Sequence, residues 1–307
     1  MNKKPSKQKS DSLYSLTRKL HQLPMLPSVV SRMMELDADS NNFQKDALKI
    51  ISEDPTFAAR VIQLSNSAYS HPLMPILTLK DAIIRMGSEN ILNLVTSLAI
   101  LKVFVPSCQH QKNLWIHSIQ VAVSARAIAI MSQVKVLAPE QAYLCGLMHD
   151  IGRFLIFSES PEELGMVEER GWKTPKELVE VEQELCGYDH AELGWHACRS
   201  WKMPELVTNV VRYHHQYYFN TTKSPEINKH ARIIRIIQMA DYLSTLMMTT
   251  DDFCAQDNKH IYQLIRKRCI VASWPETPVN ISNLAKISKS IYKESETLID
   301  NLGLKSH

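Results

Sequence analysis

Apolar side chains recur three and four residues apart along most of this chain, the spacing that gathers them on one face of an α-helix. Val61, Ile62, Leu64, Ser65 and Ala68 share one such face, and Leu79, Ala82, Ile83 and Met86 share another. A last stripe runs through Ile281, Leu284, Ile287, Ile291 and Leu298, after a break at Trp274-Pro275-Glu276-Thr277-Pro278. The strict alternation of a half-buried strand is scarce, so no strand is needed anywhere. Asp54-Pro55 reads as an N-cap followed by proline at the first helical position, and Gly87 and Pro106 read as helix ends.

Composition supports the same picture. Only eight glycines in 307 residues, with abundant Ala, Leu, Met, Glu, Lys and Gln, predict an all-α protein. Apolar residues make up 45% of the chain, ample for a large core. The 35 basic and 32 acidic side chains leave a net charge of +3, too slight a field to favour nucleic acid or an anionic membrane. Lys229, His230, Arg232 and Arg235 lie opposite Ile233, Ile234, Ile236 and Ile237; without interleaved aromatics they read as a solvated helix face, and no nucleic-acid partner is expected.

No membrane partner is expected either. The N-terminus lacks the apolar stretch of a secretory signal, and the best apolar run, residues 91–101, is too short and carries too many hydroxyls to span a bilayer. Cys108, Cys145, Cys186, Cys198, Cys254 and Cys269 form no C-x-x-C pair and read as reduced core thiols of a cytoplasmic protein.

The candidate chemistry lies within apolar surroundings. Residues 144–157, LCGLMHDIGRFLIF, read as one helix-like run with His149 and Asp150 side by side in its middle. Burying an imidazole beside a carboxylate is costly unless something pairs with both, and a divalent metal ion does so. Other metal-type side chains answer them: His117, His190, the pair His214 and His215, and Asp241. Nitrogen and carboxylate donors without thiolates suit iron or manganese, with zinc or magnesium as further choices, and argue against a structural thiolate site. The same set also suits a carboxylate-bridged di-iron pair that senses oxygen or redox state.

Each residue also has a plainer reading. A lone histidine on an apolar helix is ordinarily a hydrogen-bonded core residue. His214 and His215 point about 100° apart if they sit mid-helix, so one of them is free to face solvent. Asp189 reads as a helix cap and His196, beside Trp195, as packing. Asp241 suits an ion pair with Arg212 or Arg235. Asn66, Ser67 and Tyr69 read as polar groups satisfying a helix end, with a docking surface for a partner protein as the alternative.

A set of segments then resembles one family in order along the chain. They are Leu23-Pro24-Met25-Leu26-Pro27, Asp54-Pro55, Asn66-Ser67-Ala68-Tyr69, Ala82-Ile83-Ile84-Arg85-Met86-Gly87, Gly146-Leu147-Met148-His149-Asp150-Ile151-Gly152, Gly187-Tyr188-Asp189-His190-Ala191-Glu192-Leu193-Gly194, Trp201-Lys202-Met203-Pro204 and His214-His215. The chain is similar to bacterial HDOD proteins, relatives of the HD-domain metal phosphohydrolases and of the HD-GYP phosphodiesterases. The resemblance implies a multi-helix HD-domain-like bundle preceded by an N-terminal helical lobe. Residues 1–11 are then a polar tail, 12–250 the HDOD domain (12–106 the N-terminal lobe, 107–250 the HD-like lobe) and 251–307 a C-terminal helical extension.

The resemblance further implies that His117, His149, Asp150 and Asp241 hold one ion, and that Asp150 bridges to a second held by His190, His214 and His215. Two ions about 3.5–4 Å apart clamp a phosphate and acidify water between them. Asp150 and Arg153 are then the catalytic candidates, Arg153 as the guanidinium that meets the phosphate. Many HDOD proteins have lost the metal ligands and act by binding partners, whereas this chain keeps His117, the His149-Asp150 doublet and Asp241; other signalling proteins are the expected partners, and a nucleotide is the alternative ligand. Two departures stand out: Gln216-Tyr217-Tyr218-Phe219-Asn220 replaces the DGxGYP segment of the phosphodiesterases, and Arg153 stands where those enzymes usually carry lysine. The expectation is a regulatory protein with a metal centre, its rival an active metal-dependent phosphohydrolase or phosphodiesterase.

Overall fold

The computed structural model describes residues 28–37, 39–66, 76–132, 139–172, 174–217, 225–270, 274 and 277–304. The expected tail 1–11, Leu23 to Pro27, Ser67, Ala68, Tyr69, Tyr218 to Asn220 and Pro275-Glu276 lie outside them, as do the side chains of Leu64 and Lys229. The regular structure of the described residues is all helical, with fourteen helices and no strand.

Helices α1 (Ser28–Met34), α2 (Phe43–Ser52) and α3 (Pro55–Ser65) pack against α4 (Leu79–Val103). Asp54 caps α3 as expected, its carboxylate accepting the Phe57 N–H at 3.1 Å. Val61, Ser65, Leu79, Ala82 and Ile83 are buried, as their spacing requires. Gly87 does not end α4 but kinks it, at φ 79° and ψ 164°. A side chain is strained at that φ, so glycine is what lets the two halves run on as one element. Asn66 closes α3 by donating to Ile62 O (2.9 Å) and Ile76 O (2.7 Å) and accepting from Ile76 N (2.7 Å).

The centre of the molecule is α5 (Gln109–Met131), against which α6 (Pro139–Met148), α12 (Pro225–Thr249) and α14 (Ile281–Asn301) all pack. By length and composition α5 alone among the described helices is apolar enough to cross a membrane, with a mean hydropathy of 1.4, but 61% of that window is buried inside the fold. The sequence pointed to residues 91–101 instead, because polar Gln109, His110, Lys112 and His117 mask the apolar character of α5.

Around one side of this centre run α7 (Ile151–Glu159), α8 (Pro161–Arg170), α9 (Pro175–Cys186), α10 (His190–Ser200) and α11 (Glu205–Tyr213), while α13 (Asn258–Arg268) packs with α12 and α14. One hydrophobic core extends from Val30 to Leu304. Trp115 of α5, Phe154 and Phe157 of α7, and Phe104 after α4 form an aromatic cluster with ring centroids 4.6–6.0 Å apart. Each such pair adds about 0.5–1.5 kcal/mol beyond the area it buries. The cluster fixes α7 against α5, which sets where the start of α7 lies.

Of the six cysteines, Cys145, Cys198 and Cys269 are buried, whereas Cys108 is exposed and Cys186 and Cys254 are half-buried. The core reading therefore holds for three. His230, expected on a solvated face, is buried, its Nδ1 3.1 Å from Asn209 Nδ2. Asn209 on α11 supplies a polar partner that the spacing of α12 alone does not reveal.

Candidate metal centre

The expected single run over residues 144–157 is broken at the doublet: α6 ends at Met148, His149 and Asp150 form a turn, and α7 begins at Ile151. Two glycines explain why the break occurs there. A Cβ on Gly146 would come within 2.8 Å of Ala122 Cα, so α6 lies directly on α5. A Cβ on Gly152 would come within 1.9 Å of the His190 carbonyl, so the start of α7 touches the start of α10. The doublet is thus drawn toward His117 on one side and His190 on the other. Asp150 precedes α7 but does not cap it; its side chain turns toward the histidines instead.

All seven residues singled out in the sequence converge. His117 comes from α5, Asp241 from α12 and His190 from the first turn of α10. His214 and His215 follow the end of α11 rather than sitting mid-helix, which allows both rings to face the same centre. Their backbone is held by a relay: Trp274 Nε1 donates to Gln238 Oε1 (3.0 Å), and Gln238 Nε2 donates to the Gln216 carbonyl (2.9 Å). The donor atoms fall into two groups that share Asp150: Asp150, His190, His214 and His215, and His117, His149 and Asp150, each within 4.8 Å of one another. Asp241 Oδ1 adjoins the second group, 3.4 Å from His117 Nε2. Arg212 does not pair with it but lies over the Trp195 ring at 5.2 Å.

The hydrogen bonds orient the rings. His149 Nδ1 donates to Gly146 O (2.7 Å) and His214 Nδ1 to Val211 O (2.9 Å). His190 Nδ1 donates to Glu182 Oε2 (2.5 Å). Ser244 Oγ donates to Gln120 Oε1 (2.9 Å) and so accepts the Nδ1–H of His117 (3.0 Å). With Nδ1 donating, the Nε2 atoms of His117, His149 and His214 turn to the centre as acceptors, and that of His190 joins them once its proton is displaced. These atoms crowd together: His117 and His149 at 3.3 Å, His190 and His214 at 3.2 Å, His190 and His215 at 2.9 Å. Asp150 Oδ1 is buried among the rings, 3.2 Å from His190 Nε2 and 3.4 Å from those of His149 and His214. Ring nitrogens packed this closely about a buried carboxylate leave lone pairs facing one another wherever neither a proton nor a cation lies between them. The donor set fits a divalent cation.

The electrostatics agree. Burial pushes His117 down to about 4 and His149 to about 3 against the opposing pull of Asp150, so both are neutral donors near pH 7. Burial likewise holds His215 well below its usual value. Asp241 is pushed up to about 8, by burial first and by the Asp150 charge second. For Asp150 the cost of burial is outweighed by the surrounding imidazoles, which keep it ionised. His190 is the exception: the Glu182 and Asp150 carboxylates overcome its burial and raise it to about 10. This centre calls for positive charge.

Glu182, Glu168, Ser244 and Trp172 were not singled out in the sequence. Glu182 sits at an amphipathic position of α9 and looks like any surface glutamate, although it is 1% exposed. It accepts both the Nδ1–H and the backbone N–H of His190. The one signal available was its place eight residues before His190, which carries weight only once α9 folds back on α10. Arg153 is buried with its guanidinium bonded to Glu168, 3.8 Å from Asp150 and 3.9 Å from Glu182, and 5.6 Å from the Trp172 ring centre. Asp189 caps α10 through the Glu192 N–H (2.8 Å), and His196 packs on Trp195 with ring centres 4.6 Å apart. Beside the donors opens a cavity of about 760 Å³, whose wall includes His117, Asp150, Arg153, Trp172, His215 and Asp241.

The HDOD domain family model matches residues 23–217. A curated relative, an uncharacterized protein of Treponema pallidum (strain Nichols), is 26% identical over 214 residues, which cover 69% of this chain and 40% of the relative. The chain therefore spans about two fifths of that relative's length. Two solved structures share the fold over nearly the whole chain. A candidate phosphohydrolase from Shewanella amazonensis SB2B matches at TM-score 0.70 and 23% identity, covering 94% of this chain and 97% of that one. An HDOD domain protein of unknown function from Geobacter sulfurreducens matches at TM-score 0.68 and 24% identity, with the same coverages.

Proposed function

This chain belongs to the HDOD-domain family, and from that footing we propose that it is a bacterial cytoplasmic regulatory protein whose HD-like half holds a divalent metal centre, iron or manganese first. The observation that carries the reading is the convergence of five histidine rings on the buried Asp150 carboxylate. His117, His149, Asp150 and Asp241 hold one ion, and Asp150, His190, His214 and His215 hold the other. The protein works through contacts with other signalling proteins, and the state of the centre is what those partners read.

A second reading, metal-dependent hydrolysis of a phosphoester such as a nucleotide or cyclic dinucleotide, is favoured by the open cavity beside the donors. Bound divalent ions supply Lewis acidity toward a phosphate and a more acidic water. The protein's own part is to hold Asp150 ionised between the two groups, to keep His117, His149 and His215 neutral, and to flank the donors with Leu114, Trp172 and Leu178 in the cavity wall. Arg153 places a guanidinium in the wall beside Asp150.

One experiment tests both. The protein is purified anaerobically, its metal content counted, and hydrolysis of a generic phosphodiester and of cyclic dinucleotides assayed with Fe²⁺ or Mn²⁺. Bound metal that is lost in Asp150→Ala, without turnover, supports the regulatory reading. Turnover that is lost in the same variant promotes the enzyme, and a metal-free protein in excess Mn²⁺ defeats both.

A further inference from the structure

The cavity extends well past the donors. Along α5 its wall includes His110, Asn113 and His117, and along α12 it includes Asp241, Thr245 and Thr249. At about 1.5 Å of rise per residue these spans make a trough roughly 10–12 Å long, more than one phosphate group fills. Part of the wall comes from outside the matched residues 23–217: Asp241, Thr245 and Thr249 of α12, and Lys267 and Arg268 at the end of α13.

The cations of this cavity are not equivalent. Arg153 is matched by Glu168, Glu182 and Asp150, so its charge is largely spent within the protein. Lys267 and Arg268 are exposed and form no ion pair among the described residues. Asp241, Lys267 and Arg268 line one cavity, which places the end of α13 and the metal-type donors on a shared wall.

We propose that Lys267 and Arg268 form an anion subsite in the wall of this cavity, so that its ligand carries two anionic groups, one facing the His/Asp donors and one facing α13. The ligand class is a diphosphate or a phosphodiester bearing a second phosphate. The proposal rests on the cavity being a ligand site, as argued above. Cations in the last turn of a helix also offset the negative end of its dipole. Arg266 shares that turn without lining the cavity, so it separates the two roles.

The test uses the full chain, as wild type, Lys267→Ala/Arg268→Ala and Arg266→Ala, with inorganic phosphate and inorganic pyrophosphate as probes. Calorimetric titrations are run on Mn²⁺-loaded protein and on protein stripped of metal and dialysed. The wild type is expected to bind pyrophosphate more tightly than phosphate, and to keep a weaker, salt-sensitive pyrophosphate affinity without metal. The double variant should lose roughly tenfold or more in pyrophosphate affinity in both states, the worth of one or two charge-assisted contacts. Its melting temperature and Mn²⁺ content should match the wild type, and Arg266→Ala should bind normally. A double variant that binds pyrophosphate as the wild type does overturns the proposal, as does a wild type that ignores pyrophosphate in both states or an equal loss in Arg266→Ala. Because the stripped protein reads the α13 wall without any ion, failure of the metal reading shows separately, as missing Mn²⁺.

Discussion

Glu182 offers the sharpest perturbation of the centre, because it hydrogen-bonds one donor and does not itself line the cavity. Its Oε2 accepts the His190 Nδ1–H at 2.5 Å and the His190 backbone N–H at 2.9 Å, and its other oxygen lies 3.9 Å from Arg153 Nε. In Glu182→Gln the amide oxygen can still take both bonds, so the ring stays aimed and only the charge is lost. Hydrogen bonds to a charged group contribute about 1.5–3 kcal/mol, neutral ones about 1. The difference, about 1 kcal/mol or somewhat more, corresponds to roughly five- to tenfold weaker metal binding. Glu182→Ala removes both acceptors and leaves two buried N–H groups unsatisfied at about 1–3 kcal/mol each, with the ring free to turn, so a loss of roughly a hundredfold or more is expected. Competition of Mn²⁺ or Zn²⁺ against a chromophoric chelator measures the affinities, and far-UV circular dichroism confirms the helices. Equal affinities in three folded proteins would refute the claim that Glu182 aims His190 at an ion.

Three other outcomes follow from the packing. Gly152→Ala drives a Cβ into the His190 carbonyl, 1.9 Å away, with backbone on both sides; a cost of about 3 kcal/mol and a melting temperature lower by roughly 6 °C are expected in calorimetry, and an unchanged transition would contradict the α7–α10 contact. Asn66→Ala removes three hydrogen bonds, two of which tie the end of α3 to Ile76; with the site partly exposed, about 1–2 kcal/mol should be lost in denaturant titration while metal affinity stays put. Burial pushes the thiol of Cys145 up and those of Cys198 and Cys269 up to about 12. Since the thiolate is the reactive form, these three should react slowly with a disulfide reagent at pH 8 and keep accelerating above pH 9, whereas unfolding should expose all six; six fast thiols in native protein would disprove the packing.

What the sequence revealed and what it hid follow from one distinction. The all-helical fold was legible because Val61, Ala82, Ile83 and Leu284 are buried by the same periodicity that predicts their helices. The donors were legible by type, since imidazoles and carboxylates inside apolar runs need a common partner. Their supports were not. Glu182 and Ser244 occupy ordinary helical positions, and their roles arise only where α9 meets α10 and α12 meets α5. The break at His149 was hidden by an unbroken apolar run, and the two glycines that cause it act through contacts with Ala122 and His190, distant in sequence. His214 and His215 diverge only in a mid-helix position, and the end of α11 at Tyr213 removes that constraint. His230 gave no sign of burial because Asn209, its partner, lies on another helix.

The central claim is that these buried imidazoles and acids surround a cation. Anomalous X-ray scattering from crystals grown with Mn²⁺ tests it most directly. The account predicts anomalous density between the Asp150 carboxylate and the Nε2 atoms of His149, His190 and His214, at metal–ligand distances of about 2.0–2.3 Å. Density confined to surface carboxylates, with the histidine rings still clustered and the centre empty, would contradict it.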